Sequence, residues 1–141
     1  MAIPNGSGGY QVGTGNVNEI QFQPQPAPTA IAAGAATLTA AQLATKIILG
    51  SPGTSAAAYT LPTCALMDAA FPSVPVNAGF DFNIINVDGS SSGVITVTTA
   101  TGWSIGSSGT QGLMTIAATA GTSAAFRARK TGDATWSLYR M

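Results

Sequence analysis

The sequence contains no histidine, and this absence removes several kinds of chemistry at once. Histidine is the commonest general base and metal ligand near neutral pH, and a serine or cysteine nucleophile that histidine activates cannot be built. No two carboxylates lie close together on one predicted element, as an acid and base pair would. The acidic residues are Glu19, Asp68, Asp81, Asp88 and Asp133. We therefore predict no enzymatic activity, no metal site and no cofactor.

Charge is also scarce. Charged residues make up 7% of the chain, with five basic and five acidic side chains, whereas soluble domains usually carry about 25%. Clustered Lys and Arg drive nucleic-acid binding by releasing counterions, and because no such cluster is present we predict no nucleic-acid partner. A surface of Ser, Thr, Gly, Asn and Ala suits permanent packing against other copies of the chain or another protein. The alternative is an outward-facing domain with a neutral surface.

Long apolar runs and paired cysteines are missing too. No stretch approaches the run of about 18 apolar residues that a membrane-spanning helix needs, so we predict no membrane association. Cys64 is the only cysteine, which excludes a disulfide within the chain. It lies near the start of a predicted helix, where the helix dipole favours a thiolate, but a lone cysteine in an apolar segment more often packs in a core. Stability must then come from packing and from self-association.

The N-terminal segment, residues 1–33, is long and almost uncharged. Glycines fill its first half, and the prolines of QPQPAP favour an extended polyproline conformation. Apolar side chains and a few hydrogen-bonding ones are spaced through it: Tyr10, Val12, Val17, Asn18, Glu19, Ile20 and Phe22. We predict an extended arm that binds a partner through these side chains. The alternative is a disordered terminus.

Residues 34–141 have the pattern of a β domain. The segment GFDFNIINV alternates apolar and polar side chains with a period of two, as a half-buried strand does. Clusters of Gly, Ser and Thr recur at the spacing of short strands in a sandwich or barrel. We also expect the next strand, GVITVTT, to pair with GFDFNIINV. The predicted fold is mainly β: a single β-sandwich or jelly-roll-like domain with one short helix, preceded by the extended arm.

The segment TCALMDAAF contains the one convincing helix. Thr63 is placed to cap its first turn, and Leu66, Ala70 and Phe71 fall on one side. A single helical turn at residues 39–44, capped by Thr39, is a second candidate.

Arg127, Arg129 and Lys130 form the one local concentration of charge. Alternation along a strand places Arg127 and Arg129 on one face and Lys130 on the other. The two arginines are therefore candidates for contacts with acidic groups of a partner. The alternative is a solvated strand end, where charges discourage edge-to-edge aggregation.

The aromatic residues offer one candidate for an exposed ring. Trp103 is flanked by glycines and could contact a partner or stack on a sugar, as in a carbohydrate-binding module. Phe126 and Tyr139 are assigned instead to the core of the final hairpin.

Three stretches of the sequence resemble a family of small head proteins of tailed phages. The segment GYQVGTGNVNEIQF is similar to the family's opening arm, with its pattern Tyr-Gln-x-Gly-x-Gly-Asn-x-Asn-Glu. The segment ATLTAAQLATKIILGSPGTSAAAYTLPTCALMDAAF is similar to the part that follows. The strands from GFDFNIINVDG to GTSAAFRARKTGDATWSLYRM resemble the family's final strands.

This resemblance implies a decoration, or cement, protein of a phage capsid. Its implied partners are the major capsid protein and other copies of the chain, as a homotrimer that stabilises the capsid. Its implied location is the outer surface of the virion, after synthesis in the host cytoplasm. The alternative is a head-fibre or tail-associated protein that binds carbohydrate on a host surface. Copy number separates the two, because a cement protein is present in hundreds of copies per particle and a tail component in a few.

Overall fold

A computed structural model of the 141-residue chain describes residues 24–88, 93–105 and 114–141, together with the backbone of 3–4 and 10–11. The strands in the first half are β1 (Ile3–Pro4), β2 (Tyr10–Gln11), β3 (Thr29–Ile31), β4 (Ala36–Thr37), β5 (Ile47–Gly50) and β6 (Ala57–Thr60). Those in the second half are β7 (Gly79–Asn86), β8 (Ile95–Thr98), β9 (Trp103–Ser104), β10 (Thr115–Ile116), β11 (Ser123–Gly132) and β12 (Thr135–Arg140). The helices are α1 (Ala40–Ala44) and α2 (Cys64–Ala70). None of the helices in these ranges has the length and apolar character needed to cross a membrane.

Two sheets form the body of the protein. One has six strands in the order β3-β5-β7-β11-β12-β9, and the other has four in the order β10-β8-β6-β4. From β3 to β8 successive strands alternate between the sheets, so that β3, β5 and β7 run parallel in one sheet and β4, β6 and β8 run parallel in the other. Strands β10, β11 and β12 add antiparallel pairs. The separate pair β1–β2 is antiparallel.

The core lies between the two sheets. The six-stranded sheet contributes Phe82, Ile84 and Phe126, and the four-stranded sheet contributes Tyr59 and Ile95, all fully buried. The sheets approach closely at Gly50 on β5, because a Cβ atom there would lie 2.7 Å from both the Ile95 side chain and the Tyr59 ring. The predicted mainly β fold is confirmed. Its sheets mix parallel and antiparallel pairs, which fits the sandwich better than a jelly roll made of antiparallel Greek keys.

Both predicted helix caps are present. The Thr39 hydroxyl accepts a hydrogen bond from the Gln42 N–H, and the Gln42 side chain accepts one from the Thr39 N–H, which completes a capping box. The Thr63 hydroxyl accepts from the N–H of Leu66 at the start of α2. The candidate turn at residues 39–44 is thus a helix, and the domain has two short helices where one was expected.

Of the three residues placed on one side of α2, only Phe71 packs against the core. Leu66 is 59% exposed, and Ala70 is also exposed, whereas Cys64 and Met67 are fully buried. Residues 64, 67, 68 and 71 share the inward face, at the spacing that neighbours on a helix require. The apolar pattern did not identify this face because one of its residues, Asp68, is charged and has its partners inside the fold.

Strand β8 does not pair with β7, as the sequence suggested. Its neighbours are β6 and β10, in the opposite sheet. The chain continues to alternate between the sheets after β7, so β7 and β8 lie in different sheets and do not form a hairpin. At the other end of the chain, Thr29–Ile31 pairs with Ile48–Gly50. The six-stranded sheet therefore begins inside the segment 1–33.

Candidate functional site

Arg127 and Asp81 face each other on the outer surface of the six-stranded sheet. They are paired in register across β11 and β7. The guanidinium group donates two hydrogen bonds to the carboxylate, of 2.6 Å from Nε to Oδ1 and 2.7 Å from the second nitrogen to Oδ2. These hydrogen bonds, with the charge of Arg127, hold the pKa of Asp81 below its usual value. Because both side chains are about half exposed, the pair adds little to stability.

Arg129 lies two residues further along β11, on the same face. Its guanidinium group donates to the side-chain oxygen of Asn77 and lies 3.5 Å from the Tyr139 hydroxyl. The hydrogen bond from Arg129 is the main cause that lowers the pKa of Tyr139. Within the described ranges no carboxylate lies at ion-pair distance from Arg129. We call the surface formed by Asn77, Asp81, Arg127, Arg129 and Tyr139 the arginine face.

The arginine face corrects two expectations. Strand β11 lies between β7 and β12, so its charges do not mark a sheet edge. Tyr139 is 42% exposed, because Trp136 and Leu138 take the inward positions of β12, whereas Phe126 is fully buried as predicted. The shared face of Arg127 and Arg129 is confirmed, with a shallow depression of about 300 Å³ beside them.

Lys130 lies on the opposite side of β11 and is buried. Its Nζ lies 3.2 Å from Asp68 Oδ1 on α2. The same carboxylate accepts hydrogen bonds from the Trp136 indole Nε1 and the Ala134 backbone N–H, each 2.8 Å long. Burial raises the pKa of Asp68, but these hydrogen bonds and the charge of Lys130 outweigh it, so the pKa lies below its usual value.

No local sequence pattern predicts this buried cluster. The signal that was available is the spacing of four residues between Cys64 and Asp68, which places both on one side of the helix. The cluster ties α2 to β11 and β12. All its groups have partners within the fold, so we assign it a structural role.

Trp103 is only partly exposed, in contrast to the sequence expectation. Its indole N–H donates a 2.6 Å hydrogen bond to the Pro62 carbonyl. Its ring centroid lies 6.2 Å from that of Trp136, on the neighbouring strand β12. Trp136 lies on the inner side of β12, opposite the arginine face, and the Trp103 ring packs beside it. The structure therefore does not gather the three candidate contact residues into one site.

The thiol of Cys64 is fully buried. Burial raises its pKa to about 11, with a smaller opposing effect of a backbone hydrogen bond from Trp136. A thiol with so high a pKa is a poor nucleophile at neutral pH. Over the parts of the chain that the structure describes, no three His, Cys, Asp or Glu side chains come together as a metal site would require.

The predicted arm residues are mostly outside the described ranges. Tyr10 lies in β2, whose backbone pairs with β1. The others, Val12, Val17, Asn18, Glu19, Ile20 and Phe22, lie outside the described residues. The part that follows is attached to the domain: the Gln25 side chain donates to the Thr45 carbonyl at 2.7 Å, and the hydroxyls of Thr29 and Thr45 are 3.2 Å apart.

Two apolar depressions flank the helices. The first, which we call the apolar groove, has a volume of about 280 Å³ and is lined by Ala44, Lys46, Phe71, Val74, Ala78, Gly79 and Phe80. The second, which we call the helix-end groove, has a volume of about 430 Å³. It is lined by residues 37–41, residues 60–63, Leu66 and Ala100, and Leu66 is among the most exposed large apolar side chains of the described chain.

Comparisons of the chain with models of protein families, with curated proteins and with solved structures found no match. The likeness to phage head proteins therefore rests on the motifs quoted above.

Proposed function

We propose that the protein decorates and stabilises a phage capsid by binding the outer surface of the shell of major capsid protein. The observation that carries this proposal is the pairing of its few charges. Asp81 is paired with Arg127, and Asp68 with Lys130, so four of the ten charged side chains are neutralised within the domain. The remaining surface is rich in small neutral residues. Such a surface packs against many equivalent copies without the repulsion that a strong net charge would produce.

The arm is proposed to supply most of the contact with the shell. Burying one large apolar side chain contributes about 1.5–3 kcal/mol, so Tyr10, Val12, Val17, Ile20 and Phe22 together contribute on the order of 10 kcal/mol. Ordering each residue costs about 1–2 kcal/mol, which offsets this gain unless backbone hydrogen bonds to the shell also form. An isolated arm should therefore bind weakly, and its effect depends on its linkage to a folded, multivalent domain.

Self-association is proposed to use the helix-end groove. Leu66 projects beside the apolar residues Leu38, Leu61 and Pro62. An exposed leucine next to an apolar depression is a surface that a second copy can cover. Around a threefold axis each copy would present the same groove to its neighbour, so a closed trimer would cover all three grooves.

The test is an occupancy measurement on particles of the phage that encodes the protein. Particles lacking it are incubated with the full chain or with a variant lacking residues 1–23, and the bound copies per particle are counted by quantitative mass spectrometry. The deletion ends at residue 23 because Gln25 is bonded to Thr45. We expect hundreds of copies of the full chain, few copies of the variant and nearly equal melting temperatures.

Two outcomes would contradict the proposal. Equal occupancy without the arm would show that the arm does not bind the shell. A few copies per particle, with glycan binding that Trp103→Ala abolishes, would favour the head-fibre or tail-associated protein that binds host carbohydrate.

Because few charges are involved, occupancy should also change little as the salt concentration rises.

A further inference from the structure

The apolar groove lies at the end of the six-stranded sheet where the chain enters it. Strands β3, β5 and β7 are parallel, so all three begin at the same end. The groove is lined there by Ala44 and Lys46, just before β5, and by Ala78, Gly79 and Phe80 at the start of β7. The segment that precedes β3 therefore joins the sheet at the same end as these lining residues.

The attachment of Gln25 fixes where the arm leaves the domain. Its side chain donates to the carbonyl of Thr45, the residue between Ala44 and Lys46. Phe22 is three residues before Gln25, a reach of about 10 Å in an extended chain. Strands β3 and β7 are two strand spacings apart, which is also about 10 Å. Three extended residues are therefore long enough to span the distance from the start of β3 to the start of β7, where Phe80 lies.

The chemistry of the segment matches that of the groove. Residues 19–22 are Glu-Ile-Gln-Phe, with two large apolar side chains and one negative charge. The groove offers the apolar side chains of Phe71, Val74 and Phe80, and its one charged lining residue is Lys46. Among the residues that the structure describes, no carboxylate lies at ion-pair distance from Lys46.

We propose that the apolar groove binds residues 19–22 of the same chain, with the Phe22 ring against Val74 and Phe80 and the Glu19 carboxylate towards Lys46. This contact goes beyond the proposed capsid function and needs no shell to form. The arm would then bind its own domain in the absence of a partner. The same apolar side chains would have to leave the groove before they contact another protein.

The test uses the side-chain methyl NMR resonances of the full chain in the absence of capsid. Phe22→Leu removes an aromatic ring but keeps an apolar side chain, and Tyr10→Leu is the matched control for an aromatic residue elsewhere in the arm. We expect Phe22→Leu to shift the methyl resonances of Val74, Ala44 and Ala78, and Tyr10→Leu to leave them in place. Glu19→Gln should shift the signals of the Lys46 side chain next to Nζ.

A dilution series shows whether the segment in the groove belongs to the same chain or to another copy. Shifts that persist unchanged from millimolar to micromolar concentration support binding within one chain. The proposal is overturned if Phe22→Leu leaves all three methyl resonances unchanged, or if the shifts vanish on dilution, which would mean that the arm of another copy fills the groove. Because no capsid is present, either failure leaves the occupancy measurement on particles unaffected, so the two proposals fail separately.

Discussion

Lys130 Nζ lies 3.2 Å from Asp68 Oδ1, and this ion pair joins the helix α2 to the central strand β11. The exposed fractions of the two side chains are 9% and 21%. The pair is completed by the indole N–H of Trp136 and the N–H of Ala134. A buried pair of this kind contributes less than its geometry suggests, because both charges lose their hydration, but removing one partner leaves an uncompensated charge.

Asp68→Ala should therefore lower the free energy of unfolding by about 3 kcal/mol, because it leaves a buried ammonium group and an indole N–H without their carboxylate partner. The double variant Asp68→Leu with Lys130→Met removes both charges and fills the space with apolar atoms, so it should be more stable than Asp68→Ala. Urea unfolding monitored by tryptophan fluorescence measures both. A loss below 1 kcal/mol in Asp68→Ala would mean that the ion pair does not hold the helix in place.

Stability should fall at acidic pH in a way that depends on Asp68. Its pKa is lower in the folded protein than its usual value of 3.8. The stabilisation is therefore fully present above pH 3.8 and is lost as the pH falls through the folded-state pKa, where the carboxylate takes up a proton. Between pH 7 and pH 2, the melting temperature should fall less steeply with decreasing pH in Asp68→Asn than in the unmodified chain. An equal fall of the melting temperature in both proteins would contradict this role of Asp68.

Tyr59→Phe should not destabilise the protein. The Tyr59 side chain is fully buried, and no described atom forms a hydrogen bond of normal geometry with its hydroxyl. Burial raises its pKa, and only the nearby Ser51 backbone opposes this. Removing a buried hydroxyl that lacks a good partner costs nothing and can gain up to about 1 kcal/mol. A loss of more than 1 kcal/mol in denaturant unfolding would show that the hydroxyl is bonded in solution.

Leu66→Glu should prevent self-association without unfolding the domain. The side chain is 59% exposed beside the helix-end groove, so a carboxylate there remains hydrated in the monomer but is buried if a second copy covers the groove. Val76→Glu is the matched control, because Val76 is 49% exposed and does not line that groove. Light scattering after gel filtration should give a trimer for the control and a monomer for Leu66→Glu. A trimer in both would place the interface elsewhere.

The features that were predicted correctly depend on residues close together in the sequence. The caps at Thr39 and Thr63 are local hydrogen bonds, and a cap of this kind needs only its own first turn. The alternation in Gly79–Asn86 reflects one buried face of a single strand. The two faces of β11 at Arg127 and Lys130 follow from the same period of two.

The features that were missed depend on contacts between distant parts of the chain. No buried partner was predicted for Asp68, because Lys130 and Trp136 lie more than sixty positions away in the sequence. The pairing of β8 with β6 is set by the crossing between sheets, which no local pattern records. Thr29–Ile31 looked like part of the arm because a three-residue strand has too few positions to show alternation.

The alternation of strands β3 to β8 between the two sheets has a consequence for how the protein folds. Neither sheet is encoded by a continuous stretch of sequence, so a nascent chain cannot complete one sheet and then add the other. Most contacts join residues far apart along the chain, and a high contact order of this kind is associated with folding in milliseconds to seconds. We expect loss of the two sheets to coincide in a single two-state transition, and a fragment that ends before β7 to acquire no stable structure.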